Sequence, residues 1–149
     1  MREKIQDDLK KALKSKNAVE VSTLRLLIAA IINFEISRGE AGYKAKDEEI
    51  VGVVQKEVKQ RNESVKAYKA GDRQDLADKE TKELQILEKY LPKQMSEEEI
   101  AKSVEEVIKQ TNASSPADMG KVMGILSSKL KGKADMGAVS VIVKRSLGN

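Results

Sequence analysis

The predicted fold rests on one apolar stretch of the chain, Leu24-Arg25-Leu26-Leu27-Ile28-Ala29-Ala30-Ile31-Ile32. Its uninterrupted apolar part, Leu26 to Ile32, is far shorter than the roughly 20 residues that a membrane-spanning helix needs. Apolar residues lie on nearly every side of a helix through this stretch, which is typical of a helix buried at the centre of a bundle. We therefore expect a buried central helix over about 18–37 and no insertion into a membrane.

Helical periodicity continues on both sides of this stretch. Apart from a weak pattern near Val139-Ser140-Val141, no run of four or more residues alternates at the period of a strand. The predicted fold class is therefore all-α. Apolar spacing and cap signals place helices over about 2–15, 18–37, 47–70, 75–90, 97–110, 116–130 and 135–147.

The segment around Pro92 predicts a division of the chain into two parts. Proline pushes the residue before it out of helical geometry, so Leu91 to Met95 reads as a linker. Ser96 then opens the next helix with a capping box, in which Glu99 is the third helical residue. We predict a four-helix N-terminal bundle over 1–93 and a small three-helix domain over 96–149.

The composition excludes many kinds of reaction centre. The 149 residues include 28 Lys and Arg, 24 Asp and Glu, and neither His nor Cys. Thiol nucleophiles, imidazole bases, zinc fingers and disulfides are therefore impossible. The acidic runs Asp47-Glu48-Glu49 and Glu97-Glu98-Glu99 suit helix N-termini better than metal ligands, so we expect no metal and no cofactor. The charged N-terminus lacks the apolar region of a signal peptide, so we expect a cytoplasmic protein.

A polar cluster is predicted inside the N-terminal bundle. Arg61 falls in the middle of the apolar stripe of the third helix, and Glu80 and Glu83 share the apolar face of the fourth. If these helices fold back antiparallel at Gly71, the three side chains meet. A buried Arg needs partners for its five donors, so we predict a structural ion pair, with a polar ligand pocket or a catalytic acid pair as the alternative.

Two glycines inside a predicted helix need a reason, because each costs about 1 kcal/mol relative to alanine. Gly120 and Gly124 lie on one helical face. Either another helix of the protein packs closely against them, or an external backbone such as a nucleic-acid phosphate chain does.

Positive charge is concentrated near the same glycines. Residues 117–149 hold six basic side chains against only Asp118 and Asp135. Such a cluster suits phosphate contacts without base readout, although exposed lysines are also an ordinary solvated surface. The basic residues are Lys121, Lys129, Lys131, Lys133, Lys144 and Arg145.

Several motifs together resemble the YqeY family, and the resemblance covers essentially the whole chain. Met136 departs from the small or polar residue expected after Asp135. The motifs are Leu24-Arg25-Leu26-Leu27, Lys56-Glu57-Val58-Lys59-Gln60-Arg61-Asn62-Glu63-Ser64, Ala70-Gly71-Asp72-Arg73-Gln74-Asp75-Leu76-Ala77, Glu83-Leu84-Gln85-Ile86-Leu87, Tyr90-Leu91-Pro92, Asp118-Met119-Gly120-Lys121-Val122-Met123-Gly124 and Gly132-Lys133-Ala134-Asp135.

This family is similar to the tail of the B subunit of tRNA-dependent amidotransferase, the GatB/YqeY domain. In that complex the tail contacts tRNA, while glutamine-dependent carbon-nitrogen ligase chemistry belongs to other domains. The resemblance implies an accessory module rather than a self-sufficient enzyme. We expect it to bind tRNA or another structured RNA by backbone and shape through the two glycines and six basic residues named above. The alternative is a module that docks on an amidotransferase or aminoacyl-tRNA synthetase without touching RNA.

Overall fold

The computed structural model describes residues 1–148, and within that range it contains seven α-helices and no strand. The predicted all-α fold class is therefore confirmed. Asn149, the last residue of the predicted C-terminal domain, lies outside the described residues. The helices are α1 (Arg2–Lys14), α2 (Ala18–Ser37), α3 (Asp47–Ala70), α4 (Gln74–Glu88), α5 (Glu97–Thr111), α6 (Met119–Lys129) and α7 (Met136–Leu147), with a 3-10 turn at Pro116–Asp118.

The chain forms two compact units, Met1–Leu91 and Pro92–Asn149. The first unit holds α1 to α4 and the second holds α5 to α7. The structure therefore has the four-helix and three-helix parts that the sequence predicts.

Local capping explains where several helices begin and end. The Asn17 side chain accepts a hydrogen bond from the Glu20 amide at 3.2 Å, which satisfies a free donor at the start of α2. At α5, the Ser96 amide donates to the Glu99 carboxylate at 2.8 Å, and the Glu99 amide donates to the Ser96 hydroxyl at 3.2 Å. Gly71 caps the end of α3. These boundaries depend on short-range chemistry, which is why sequence patterns predict them.

Helix α2 is buried on one side only, so the expectation of a helix buried on all sides is wrong. It packs against α1, α3 and α4. Its buried side includes Leu24, Leu27 and Ile31, whereas Leu26 and Ile36 are exposed. The physical reason is that the described part of this unit has no further helix to cover the other side. The buried apolar core consists of Ile5, Leu24, Leu27, Ile31, Ile50, Val54, Leu87 and Tyr90.

Buried Glu35 joins the end of α2 to two other segments. Its carboxylate accepts a hydrogen bond from the Ala45 amide at 2.7 Å, and it pairs with Arg2 and with Lys44. The Ala45 amide is the main cause that holds the pKa of Glu35 below its usual range, and the nearby cations add to it. This carboxylate therefore fixes α1 and the loop before α3 onto α2.

Tyr90, next to the last residue of the N-terminal unit, packs into the core of that unit. The ring is buried, and its hydroxyl donates a hydrogen bond to the Asp8 carboxylate at 2.8 Å. Burial, followed by the bond to Asp8, raises the pKa of Tyr90. The contact links α1 to the turn that precedes Pro92.

The C-terminal unit has a core of its own, built from one stripe of each of its three helices. Val104, Val122 and Val143 are fully buried representatives from α5, α6 and α7. The core consists of Ile100, Val104, Val107, Val122, Leu126, Leu130, Ala134, Val139, Val143 and Leu147. This arrangement leaves the opposite face of α6 at the surface.

Candidate nucleic-acid interface

The two glycines of α6 lie on its outer face. Val122 and Leu126 point into the core, whereas Gly120 and Gly124 are exposed. A Cβ atom built at either glycine meets no neighbouring atom within 4 Å. Close packing of another helix of this unit therefore does not explain the glycines. They leave the backbone of α6 open to an approaching molecule.

Two small residues extend this open face. Ser127 and Ser128 lie in the next turn of α6, and both hydroxyls donate to the Gly124 carbonyl, at 3.0 and 3.4 Å. Both serines are exposed. We call Gly120, Gly124, Ser127 and Ser128 the small-residue face of α6.

Cationic side chains lie near both ends of α6. At the start of α6, Lys144 of α7 lines a shallow groove with Pro116 and Met119. At the other end, Lys129, Lys131 and Lys133 are exposed along the end of α6 and the loop that follows. Helix α6 has 11 residues and is therefore about 16 Å long. The two groups of cations therefore lie about one helix length apart.

The remaining predicted basic residues differ in their surroundings. Lys121 is exposed on α6, about one-sixth of a turn from Gly124 around the helix axis. Lys129 is exposed but paired with Glu106 of α5, at 2.9 Å between the charged atoms. Arg145 is exposed in the last turn of α7. Sequence patterns do not predict the Glu106 contact, because residues 23 positions apart meet only through the packing of α5 on α6.

The loop that carries two of the lysines has a fixed backbone. Gly132 adopts a φ of 78°, a left-handed conformation that favours glycine. The Gln94 side chain donates to the Gly132 carbonyl at 2.8 Å, and the Met95 amide donates to the Lys133 carbonyl at 2.9 Å. Lys131 and Lys133 therefore extend from a loop whose main chain is held by the segment after Pro92.

In the turn before α6, the backbone amides are hydrogen-bonded to a carboxylate of the turn itself. The Asp118 carboxylate accepts hydrogen bonds from the Ser114 and Ser115 amides at 3.0 and 3.1 Å. These backbone bonds hold the pKa of Asp118 below its usual range. Asp118 is thus charged at neutral pH, and it occupies the Ser114 and Ser115 amides of the turn.

The predicted polar cluster of the N-terminal unit forms around buried Arg61. Its Nε donates to Glu83 at 3.2 Å, and its Nη1 donates to Glu57 at 2.7 Å. The second partner, Glu57, lies one turn earlier on α3 and was not among the predicted acids, although an i,i+4 pair is a known helical contact. Glu80 is half-buried, and no bond between it and Arg61 occurs among residues 1–148. No buried side-chain polar atom of the described chain lacks a partner. The cluster therefore has no free group directed at a ligand.

Residues 1–148 contain neither a metal-binding group of acids nor a membrane-spanning helix. No group of three or more acidic side chains there is arranged to hold a metal ion. No helix in that range is long and apolar enough to cross a membrane.

Comparison with known proteins identifies the family. The family model described as Yqey-like protein matches residues 2–147. The chain belongs to the YqeY family.

Curated relatives of this YqeY chain carry one common name. The protein "Altered inheritance of mitochondria protein 41, mitochondrial" of Pyrenophora tritici-repentis is 32% identical over 136 residues, covering 88% of this chain and 71% of the relative. The protein of the same name from Candida glabrata is 29% identical over 144 residues, covering 91% and 71%. That of Clavispora lusitaniae is 41% identical over 85 residues, covering 56% and 47%.

These names correct the expected location. We expected a cytoplasmic protein, but the similar proteins are named as mitochondrial, so that expectation is wrong. The sequence argument failed because it treated the charged N-terminus as a sign of the cytosol, whereas a missing apolar leader argues only against secretion. The names of the relatives mention neither tRNA nor an amidotransferase.

Proposed function

We propose that the C-terminal unit of this YqeY protein binds structured RNA, with tRNA as the first candidate, through the sugar-phosphate backbone. The observation that carries the proposal is the open backbone at Gly120 and Gly124, since a Cβ at either position would meet no atom within 4 Å beyond the adjacent residues and the backbone of its own helix. A helix accepts a cost of about 1 kcal/mol per internal glycine when something must approach its main chain closely.

The chemistry around this face favours an anionic backbone as the approaching group. Lys144 lies near one end of α6, and Lys131 and Lys133 lie near the other. The four aromatic residues of the chain, Phe34, Tyr43, Tyr68 and Tyr90, all precede Pro92. The C-terminal unit therefore has no aromatic ring on which bases could stack, and phosphate contact and shape are the recognition modes left to it.

The resemblance to the B-subunit tail of tRNA-dependent amidotransferase supports tRNA as the RNA to test first. In that setting this chain would act as an accessory module, and glutamine-dependent carbon-nitrogen ligation would be carried out by partner subunits. The competing proposal is docking on an amidotransferase or aminoacyl-tRNA synthetase without RNA contact. Exposed Ile125 and Val141 in the same unit give that competitor a physical basis.

Filter binding of tRNA to the full chain across a salt series tests the main proposal. If phosphates are contacted, the logarithm of the binding constant falls linearly with the logarithm of salt concentration, with a slope of about −0.7 to −0.9 per phosphate. Changing Lys129, Lys131 and Lys133 together to Glu is expected to abolish binding. The matched control is the same triple reversal at Lys56, Lys59 and Lys66 on the exposed side of α3, which changes the net charge equally.

Failure to bind tRNA at low salt, or equal loss in both triple variants, would refute the proposed site. A pull-down repeated after RNase treatment tests the competitor. Partners that survive RNase and are lost with Val141→Asp would support docking on protein instead.

Glycine variants separate binding from folding. Gly120→Ala with Gly124→Ala adds methyl groups in open space, so the helix is expected to gain about 1–2 kcal/mol of stability. The same change is expected to weaken RNA binding, because the methyl groups keep a phosphate away from the main chain. Gly52→Ala is the control, since Gly52 lies inside α3 with equally open surroundings. It should raise stability and leave RNA binding unchanged.

A further inference from the structure

Helix α2 leaves a row of large apolar side chains uncovered. Leu26, Ile32 and Ile36 are 54%, 43% and 70% exposed. With the small residue Ala29 they fall within an arc of about 120° around the helix and extend over about 15 Å along it. We call Leu26, Ala29, Ile32 and Ile36 the outer stripe of α2. Single exposed apolar residues are ordinary, but an aligned row of this length is typical of an interaction surface.

One cation lies within the outer stripe. Arg25 falls between Ile32 and Ile36 in helical projection, and it is exposed. It makes no hydrogen bond or ion pair with any other residue in 1–148. A guanidinium without a partner beside apolar side chains can pair with a carboxylate on an incoming surface.

No acid of α2 offsets this cation. The helix contains two acidic residues, Glu20 and Glu35. Glu20 pairs with Lys89 at 3.7 Å, and Glu35 is buried and bound to the Ala45 amide, Arg2 and Lys44. No carboxylate of α2 therefore pairs with Arg25, and a carboxylate that neutralises it would belong to the partner.

We propose that the outer stripe of α2 docks an amphipathic helix of a partner protein that places a carboxylate against Arg25. The partner helix covers the leucine and isoleucines with apolar residues at helical spacing, as in other helix-on-helix recognition. A second copy of this chain fits less well, since its own outer stripe brings another arginine and no acid. The contact is about three helical turns long.

The test uses the full chain and two synthetic helical peptides in fluorescence anisotropy. One peptide carries Leu at helical spacing flanked by Glu, and its twin carries Lys in place of every Glu. The acidic peptide is expected to bind about tenfold more tightly than its twin at low salt. Ile36→Ser should weaken the binding of the acidic peptide. Arg25→Glu should make the basic peptide bind more tightly than the acidic one.

The controls distinguish binding at the outer stripe from non-specific binding to other apolar surfaces. Val141→Ser removes an apolar side chain of α7 that is 48% exposed, and it should leave the binding of both peptides unchanged. Both positions on α2 are exposed, so the helical signal in circular dichroism should stay the same in every variant. Equal binding of the two peptides, or an unchanged preference in Arg25→Glu, overturns the proposal.

Two other occupants are separate outcomes, and each overturns the proposal. In the first, the chain binds vesicles of phosphatidylcholine and phosphatidylglycerol, and Ile36→Ser abolishes this binding. The acidic and basic peptides bind equally well in that case. This outcome would assign the stripe to a membrane surface. The other is a dimer in sedimentation equilibrium that Ile36→Ser dissociates, which would assign it to a second copy. None of these measurements involves RNA, so they are independent of the function proposed for the C-terminal unit.

Discussion

Replacing Arg61 by Met tests whether the buried cluster of the N-terminal unit needs its cation. The guanidinium lies 2.7 Å from a Glu57 oxygen and 3.2 Å from a Glu83 oxygen. The Glu83 side chain is only 9% exposed and that of Glu57 18%. Methionine fills much of the arginine volume, so the main effect is to leave two carboxylates without their shared cation.

The expected loss follows from that geometry. Breaking a buried ion pair from one side costs about 3–5 kcal/mol, because the remaining charge stays out of water without compensation. A domain of this size has about 5–15 kcal/mol of total stability, so the loss is a large fraction of it. Each kcal/mol lowers the melting temperature of such a domain by about 4–8 °C, which predicts a fall of at least about 12 °C.

Tyrosine fluorescence in a urea titration measures this loss selectively. Tyr43, Tyr68 and Tyr90 all lie in the N-terminal unit, and the chain has no Trp. The signal therefore follows the unfolding of the unit that contains Arg61. Arg73→Met is the matched control, because Arg73 and its partner Asp75 are both exposed, and its unfolding midpoint should not change.

A triple variant shows whether the penalty comes from the unpaired acids. Arg61→Met combined with Glu57→Leu and Glu83→Leu should recover most of the lost stability, since an apolar replacement of a whole buried network is often neutral or stabilising. The reasoning is refuted if Arg61→Met alone is as stable as the parent chain with an unchanged helical spectrum. In that case the two carboxylates would not need the arginine.

Three further predictions concern single contacts. Glu106→Gln releases Lys129 from its ion pair, so tRNA affinity at low salt should rise about twofold to threefold and the gain should vanish at high salt. Because the pKa of folded Glu35 is lowered, its bonds stabilise the fold above the ordinary value of 4.5, and this contribution is lost as pH falls through the folded pKa. The urea midpoint of Glu35→Gln should therefore lie below that of the parent at pH 7 and approach it in acid. Tyr90→Phe removes the hydrogen bond to Asp8, so the N-terminal unit should lose about 0.5–1.5 kcal/mol in the same titration.

The helices and their ends could be predicted because they depend on neighbours in sequence. Asn17 caps α2 and Ser96 caps α5 through bonds to the residue three positions later, and Gly71 ends α3. The apolar spacing of each helix also predicts which of its sides the core needs. Patterns of this range are fully contained in the sequence.

The partners of charged residues were predicted less well. Arg61 was expected in a buried ion pair with two acids of α4, and the structure brings Glu83 to it but supplies Glu57 as the second acid. An antiparallel helix pair predicts which turns lie opposite each other, but not which of two carboxylates a turn apart reaches a given guanidinium. That choice depends on the rotation of each helix about its axis, which packing decides.

The sequence by itself determined the helical class, the helix boundaries and the lack of thiol and imidazole chemistry, because composition and short-range spacing govern these properties. Only the tertiary structure decided what is exposed. The stretch Leu24 to Ile32 is apolar on nearly all sides, yet Leu26 and Ile32 remain at the surface because α1, α3 and α4 pack against the opposite side. Gly120 and Gly124 proved open for the same reason, since α6 directs Val122 and Leu126 into the core. Exposure is a property of the assembled helices, and periodicity alone cannot show which face of a helix its neighbours cover.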